Sequence, residues 1–511
     1  MNKIKTILGL SLFAIVGKLL ALLRQSLLIA TLGLGQQSDI YLTSFRLPDL
    51  LYNLLIYGTL LPAFIPIYTE LRGKDKQEAN HLSSSVLAAG LLAVGTLSLF
   101  TLIFSRSLLH LAVPGFSGEV FEQTLTLTRV LLLSPLIFTL STVLTGILHS
   151  AKRFAVAQAA PLCYNLGIIF GLYAFYPKFG LIGLAYGVLI GAALHALVQI
   201  PFVVKEGLWF KLPFDFSSSS FKRIGTLFLP RLLGVDPGQI SLLIASFFGS
   251  LGLSAGSISV FTLATDLMQA PVAVFAYSAS IVALPLLSEN FAQKRFADFT
   301  EGLRTSIKNI MFFLVPASLY MVLYRAQIVR ILFGRQNFSW ENTTDLLQSV
   351  GIMSFGIIAF GLIPLFSRAF YAKQNTKLPV IFSLISVATN FIISWPLSIY
   401  FGSNGLAAAF TISIWLNALL LIIYMRRSLL RLQSHEEIFN NALTRYIVTT
   451  FAISFISALF AHALLQLGPI FFDTHTGVGL VFQLALSFIP SALLYVYGSK
   501  IWLNLDILSR K

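Results

Sequence analysis

Long apolar runs follow one another from one end of the chain to the other, and no polar stretch between them is large enough to make a soluble domain. Each run is about 20 residues or more, the length a helix needs to cross hydrocarbon. Of 511 residues, 56% are hydrophobic and 11% charged. The expected fold is an all-α polytopic membrane protein with about fourteen transmembrane helices. The runs are 5–31, 38–69, 81–112, 120–149, 155–177, 180–204, 221–249, 255–288, 305–326, 345–371, 378–401, 403–425, 442–467 and 477–499. Several exceed the usual span, which predicts tilt or extension beyond the hydrocarbon. The first run contains Lys18 and Arg24 and lacks a small-residue cleavage pattern, so it is expected to remain as a span and not to be removed as a signal. The one cysteine, Cys163, lies inside a run, where packing is its expected role.

The runs are written twice. Ser26-Leu-Leu-Ile-Ala30 recurs as Ser241-Leu-Leu-Ile-Ala245, and Asp49-Leu as Asp266-Leu. Pro66-x-x-x-Glu70 recurs as Pro285-x-x-x-Glu289, Ala151-Lys152 as Ala372-Lys373, and Gly180-x-x-Gly-Leu-Ala185 as Gly402-x-x-Gly-Leu-Ala407. The offset grows from 215 to 222 without a break in order. Spans 1–6 therefore match spans 7–12. Six is even, so the copies enter the membrane in the same direction, as parallel repeats about an axis along the membrane normal. The expected organisation is an N-lobe over 1–204, a cytoplasmic linker over 205–220, a C-lobe over 221–425, and a C-terminal segment over 426–511 with spans 13 and 14. The linker mixes aromatic and basic residues with four serines and reads either as a membrane-surface connector or as an ordinary loop.

Charge orients this arrangement. Arg72, Lys74, Lys76, Lys152, Arg153, Lys205, Lys211, Lys222 and Arg223 fall on one side, as do Lys294, Arg295, Arg368, Lys373, Lys377, Arg426, Arg427 and both termini. Mainly Lys178, Arg325, Arg330 and Arg335 fall on the other. The positive-inside rule puts both termini in the cytoplasm and accounts for most of the +15 net charge. These basic residues sit in short loops and form no domain, so no nucleic-acid partner is expected.

Ionisable groups inside spans are costly and mark interior or water-filled surfaces. Span 1 holds Lys18 and Arg24, about 120° apart around the helix and about 9 Å along it. In span 2, Asp39, Arg46, Asp49, Asn53 and Tyr57 are spaced 7, 3, 4 and 4, a single helical stripe. In span 8, Asp266, Gln269, Ala273, Tyr277 and Ser280 make an equivalent stripe. Two such stripes on matching helices suggest the walls of one cavity. The competing readings are an Arg46–Asp49 ion pair and a helix-start role for Asp39. Pro230, Gly234, Pro237 and Gly238 mark a bent stretch of span 7 that reads as a hinge. Arg129 and His195 are isolated in sequence and read as core or interfacial. A cavity with Lys18, Arg24 and Arg46 suits an anion with an apolar part, since Lys and Arg both bind phosphate.

At these residues the chain resembles a known family. Leu47-Pro-Asp-Leu-Leu51, Gly58-x-x-x-Pro-Ala-Phe-Ile-Pro66 and Glu70 resemble the second span of the MurJ/MviN family. So do Val113-Pro-Gly-Phe116, Gly146-Ile-Leu-His-Ser-Ala-Lys-Arg-Phe154 with Pro161 and Asn165, Gln239-Ile-Ser-Leu-Leu, and Leu284-Pro-Leu-Leu-Ser288. The resemblance covers the full length. It implies membership of the multidrug/oligosaccharidyl-lipid/polysaccharide exporter superfamily, residence in the bacterial cytoplasmic membrane, and flipping of a polyprenyl-diphosphate glycan, most simply peptidoglycan lipid II. It also implies a lipid-tail groove shaped by spans 13 and 14, and cell-wall synthesis proteins as partners alongside membrane lipids. Lys18 and Arg24 match the family's basic positions in span 1, and Asp39 its acidic one in span 2. The chain departs where the family has basic residues and this chain has Tyr52 and Asn53, where it has an acid and this chain has Tyr57, and where it has an arginine and this chain has Asp266. A sodium site in some members uses an acid where Ala245 stands, although Asn390 and Ser394 remain. That argues against sodium coupling and leaves the coupling ion open. It also keeps a different lipid-linked oligosaccharide as an alternative substrate.

Three other classes remain in view. An ion-coupled drug exporter of the same superfamily would favour acids in the cavity over the Lys18/Arg24 pair. A transport-inactive scaffold for envelope synthesis would account for the altered Tyr52, Tyr57 and Asp266. An enzyme is disfavoured, because the seven histidines are scattered, no HExxH spacing occurs, and no loop gathers paired acids or a glycine-rich phosphate cradle. No metal site and no cofactor are expected.

Overall fold

A computed structural model of the chain describes residues 3–53, 60–207, 215–228, 237–334, 340–430, 437–474 and 476–503. Among the described residues the structure is helical, without strands. In lipid, where water is not there to satisfy backbone groups, helices satisfy them within the segment. Among the described residues, nine helices or helix stretches are long and apolar enough to cross a membrane, or ten if a pair bent by 44° between Glu341–Ser354 and Ile357–Ala372 counts as one span. The chain divides into two compact units, Met1–Ile258 and Ser259–Lys511. That boundary lies downstream of the lobe boundary drawn from sequence at 221.

The first unit begins with α1 (Lys3–Leu32), α2 (Gln36–Ser44), α3 (Arg46–Tyr52), α4 (Leu60–Lys74) and α5 (Lys76–Ile103). It continues through α6 (Ser105–Ala112), α7 (Gly118–Leu131), α8 (Ser134–Ser150) and α9 (Phe154–Ala174). The short α10 (Tyr176–Phe179), α11 (Leu181–Leu197), α12 (Ile200–Lys205), α13 (Ser219–Phe228) and α14 (Pro237–Ser250) complete it. Several windows that read as single spans are broken. The run 38–69 contains the break at Phe45 between α2 and α3, and the run 120–149 breaks between α7 and α8. Local chemistry sets some starts. Asp75 caps α5, its carboxylate accepting the N–H groups of Gln77 and Glu78, a contact worth about 1 kcal/mol.

Glycine sets the closest packing. A Cβ on Gly167 would lie 2.3 Å from Gly191 Cα, and one on Gly171 would lie 2.4 Å from Gly187 Cα. α9 and α11 therefore touch backbone to backbone, the small-residue packing that membrane helices favour. Within the run 221–249 the described residues form α13 and α14. α13 packs on α4 and α5, where Ile224, Phe221 and Phe228 join a core of Leu60, Phe64, Val86 and Leu144. An apolar cavity of about 190 Å³ remains beside Gly225, Gly90 and Ala93.

The linker is tethered from the same unit. Glu206 receives Arg72 at 2.5 Å and Arg153 at 2.8 Å. Asn80 Nδ2 donates to Gly207 O at 3.0 Å, and Asp215 N donates to Ser85 Oγ at 2.9 Å. Arg223 pairs with Glu70 at 2.9 Å.

The second unit holds most of α15 (Ser257–Pro271), a π-helical turn at Val272–Ala276, α16 (Tyr277–Ala292) and α17 (Phe296–Phe333). It continues with α18 (Trp340–Ser354), α19 (Ile357–Ala372), α20 (Lys377–Leu430), α21 (Asn441–Phe471) and α22 (Gly477–Trp502). The 54-residue α20 folds back on itself at Gly402, where φ is 59°. Ser386 Oγ reaches Ser413 O at 2.7 Å across the resulting hairpin. Beyond the turn, Asp345 accepts from Ser403 Oγ at 3.1 Å, and Asn404 Nδ2 donates to Gln348 Oε1 at 2.8 Å. α21 and α22 pack on α17 through hydroxyls: Tyr320 meets Ser457 at 2.5 Å, Ser487 donates to Tyr324 at 2.8 Å, and Tyr495 donates to Phe312 O at 2.6 Å. Large apolar side chains such as Ile392 (68%) and Ile470 (73%) stay exposed, which suits a surface wetted by lipid.

Candidate functional site

The polar groups of spans 1 and 2 meet in the first unit. α1 carries Lys18, exposed, and Arg24, half-buried. Arg24 Nε is buried with no hydrogen-bond partner, and Nη2 makes only a long 3.4 Å contact to Gln25 Oε1. A buried guanidinium group left short of acceptors is costly unless something else supplies them. Asp49 is half-buried and within electrostatic reach of Arg46 and Arg24. Arg24 also acts electrostatically on Tyr41 and Tyr164.

The span-2 stripe divides into two kinds of residue. Asp39 is 4% exposed, and its Oδ2 accepts the Gly256 N–H at 2.6 Å. Arg46 is 7% exposed and donates from Nε to Ser246 Oγ at 2.9 Å. The sequence stripe puts both on an open binding surface; in the structure both are buried and engage the segment around α14. Ser246 and Gly256 cover this face, which periodicity along one helix does not show. Nearby, Gly115 N donates to Ser250 Oγ at 3.2 Å, and a Cβ on Gly115 would fall 1.8 Å from Ser250 O. Asn53 is half-buried, its Nδ2 donating to Asp49 O at 2.9 Å. Tyr57 lies outside the described residues.

In the second unit Asp266 is exposed and Gln269 half-buried on α15. The stripe drawn onward to Tyr277 and Ser280 does not persist. Ser280 is fully buried and donates to Ala276 O. The π-helical turn between α15 and α16 inserts extra backbone and rotates α16 out of register with α15. A cavity of about 730 Å³ opens between α16 and α17, rimmed by Glu289, Asn290, Arg295, Asp298 and Glu301. Of the hinge residues, Pro230 and Gly234 lie outside the described residues. Pro237 and the buried Gly238 begin α14, proline suiting the first helical position.

Sequence reading misses a group of partners. His195 is isolated in sequence, but its Nδ1 lies 2.5 Å from Ser141 Oγ, which also accepts from Gln199 Nε2 at 2.7 Å. Thr145 Oγ1 donates to Gln199 Oε1 at 2.9 Å. Tyr52 OH lies 3.3 Å from Thr142 Oγ1. Arg129 Nε donates to Ser105 Oγ at 2.9 Å. The signal available in sequence is the spacing of Ser141 and Thr145, and of His195 and Gln199, each one helical turn apart.

Among the described residues no three His, Cys, Asp or Glu side chains converge as metal ligands would. Ala245 is buried in α14. Asn390 and Ser394 are buried in α20, with Ser394 Oγ donating to Asn390 Oδ1 at 3.2 Å.

Comparison with known proteins places this arrangement. A probable lipid II flippase MurJ from Buchnera aphidicola is 29% identical over 448 residues, covering 86% of this chain and 87% of that one. A solved lipid II flippase MurJ in an inward closed conformation superposes with a TM-score of 0.77 at 22% identity, over 98% of this chain and 99% of that one. An inward-facing multidrug MATE transporter of the MOP superfamily gives 0.69 at 18% identity, over 82% and 96%. The family model described as lipid II flippase MurJ matches residues 28–476, and this chain therefore belongs to the MurJ family of lipid II flippases.

Proposed function

We propose that this chain carries lipid II from the cytoplasmic to the outer leaflet by alternating access, with Lys18 and Arg24 engaging the diphosphate. The observation that carries the reading is Arg24: a half-buried cation inside a span, its Nε buried and without a partner. Family membership supplies the substrate class. An ion-coupled drug exporter is the weaker reading, because Arg24 wants an anion.

In this scheme fourteen spans form two parallel six-helix repeats plus two, and both termini lie in the cytoplasm. Local geometry supports the repeat. Gly180 and Gly402 occupy matching positions and have φ values of 60° and 59°, a region glycine enters freely. Three residues on, Gly183 and Gly405 each press against the preceding helix end, where a Cβ would lie 2.5 Å and 1.9 Å from Phe175 O and Leu397 O.

Asp39–Gly256, Arg46–Ser246 and Gly115–Ser250 join the first sequence repeat to the start of the second. By the proposed orientation they lie on the outer side. They are contacts that outward opening would have to break, and a ligand favours that opening only through tighter binding to the open state.

The test is complementation in bacteria depleted of their own lipid II flippase, at matched membrane levels. Rescue by the native chain and its loss in Lys18→Ala and Arg24→Ala support the reading. Rescue untouched by either change overturns the diphosphate assignment. Failure of a well-inserted native chain to rescue counts against lipid II as the substrate.

A further inference from the structure

Beside Arg24 and Asp49 the first unit carries a cluster of four rings. Phe138 of α8 is the centre. Tyr52 of α3 lies 5.2 Å from it, tilted by 42°. Tyr164 of α9 lies 5.2 Å away, edge-on at 71°, and His195 of α11 lies 5.5 Å away, edge-on at 79°. All four are half-buried, so each leaves part of itself uncovered. Tyr164 is within electrostatic reach of Arg24, Asp49 and Tyr52, and α9, which carries it, packs on α1, which carries the cation assigned to the diphosphate.

The surroundings of the rings are polar. Thr142 Oγ1 stands 3.3 Å from Tyr52 OH. Ser141 and Gln199 surround His195. The half-buried amide of Asn53 and carboxylate of Asp49 lie one and three residues from Tyr52 on the same stretch of chain. A helix junction that needed only apolar volume would have no use for two phenols, an imidazole and this set of hydroxyls and amides, each of which demands a partner when buried.

We propose that this aromatic face is a carbohydrate subsite, a platform for the first pyranose ring of the translocated head group; the inference rests on the lipid II reading above. A pyranose has one chemistry on its faces and another at its edge. Its faces present C–H bonds, weakly positive and apolar, which meet the negative face of an aromatic ring. Its edge presents hydroxyls, which Thr142, Asn53, Asp49 and the tyrosine hydroxyls are suited to receive. Position agrees with chemistry. In a polyprenyl-diphosphate glycan the first sugar is bonded directly to the diphosphate, so its platform must adjoin the anion contact. Tyr164 stands on the helix packed against that of Arg24, and Tyr52 follows Asp49 on α3.

The test uses the full-length protein in nanodiscs and two lipid probes. Undecaprenyl diphosphate carries the diphosphate and no sugar; lipid II carries both. Tyr52→Leu and Tyr164→Leu keep apolar volume and remove the ring, while Tyr52→Phe and Tyr164→Phe keep the ring. The leucine variants are expected to bind lipid II about tenfold more weakly and undecaprenyl diphosphate within about twofold of the native chain, with the phenylalanine variants retaining most lipid II binding. Equal weakening toward both lipids would show that the rings only pack the helices and overturns the proposal. Unchanged binding of both also overturns it. If the native chain binds undecaprenyl diphosphate but gains nothing from the sugars, the subsite fails and the diphosphate reading stands. Binding of neither lipid removes both.

Discussion

Arg24 and Asp39 are both charged residues expected on a cavity wall, and their surroundings differ. Arg24 keeps a buried Nε without a partner, whereas Asp39 is closed over and accepts the Gly256 N–H. Substitution should therefore act differently at the two positions. If Arg24 engages the diphosphate as proposed, Arg24→Ala should lower transport while leaving thermal unfolding in detergent nearly unchanged. Asp39→Ala leaves a buried N–H unpaired and should cost about 1–3 kcal/mol, read as a lowered Tm. Asp39→Asn keeps an acceptor and should lose less. Lys18 and Arg24 stand out in the sequence because a charge inside an apolar run differs from its neighbours. Their surroundings are not. Tyr164, Thr142 and His195 come from other helices, and nothing in a one-dimensional pattern brings them to Tyr52. Periodicity puts Asp39 and Arg46 on an open surface for a related reason, since it says which residues share a stripe but not what covers them.

Helices are legible where apolar length decides, and the form of their interruptions is not. The sequence divides the run 378–425 near Gly402, where the backbone turns. The breaks at Phe45 and Leu132–Leu133 come shortly before Pro48 and Pro135, and the π-helical turn at Val272–Ala276 follows Pro271, so proline marks each disturbance without fixing its form. Glycine contacts make predictions at this scale. Gly171→Ala would push α9 and α11 apart, an overpacking that costs about 1–3 kcal/mol or more. Gly73→Ala meets nothing within 4 Å and should leave unfolding unchanged or slightly improve it. The comparison of the two Tm values checks whether close approach, and not loss of glycine as such, is responsible. The linker tether makes a pH prediction. Hydrogen bonds from Arg153 and then Arg72 hold the Glu206 carboxyl below its ordinary value of 4.5. A depressed carboxyl stabilises fully above the unfolded-state value, and its contribution is lost as pH falls through the lower folded-state value. Exchange of the Glu206 and Gly207 amides, divided by the intrinsic rate at each pH, should therefore rise as the solution is acidified from neutral through the carboxylate range. Glu206→Gln should raise it already at neutral pH and flatten the dependence.

At the scale of the whole molecule, the proposed topology is checkable by chemistry from either side of the membrane. In a Cys163→Ala background, Ser117→Cys should react with a membrane-impermeant maleimide added to intact cells. Ser217→Cys should react only after the inner membrane is opened. Reversed labelling would invert the orientation and place Lys18 and Arg24 for a different direction of travel. The glycine seam between α9 and α11 has a further use here. With Gly167 against Gly191 and Gly171 against Gly187, no side chain separates the two helices at these points to act as a bearing. The pair can turn together but cannot slide, because a shift of one residue would bring a Cβ into backbone. Spin labels placed on these two helices should therefore report a constant separation through every stage of transport. Such a pair is a built-in ruler against which every other distance in the working protein can be calibrated.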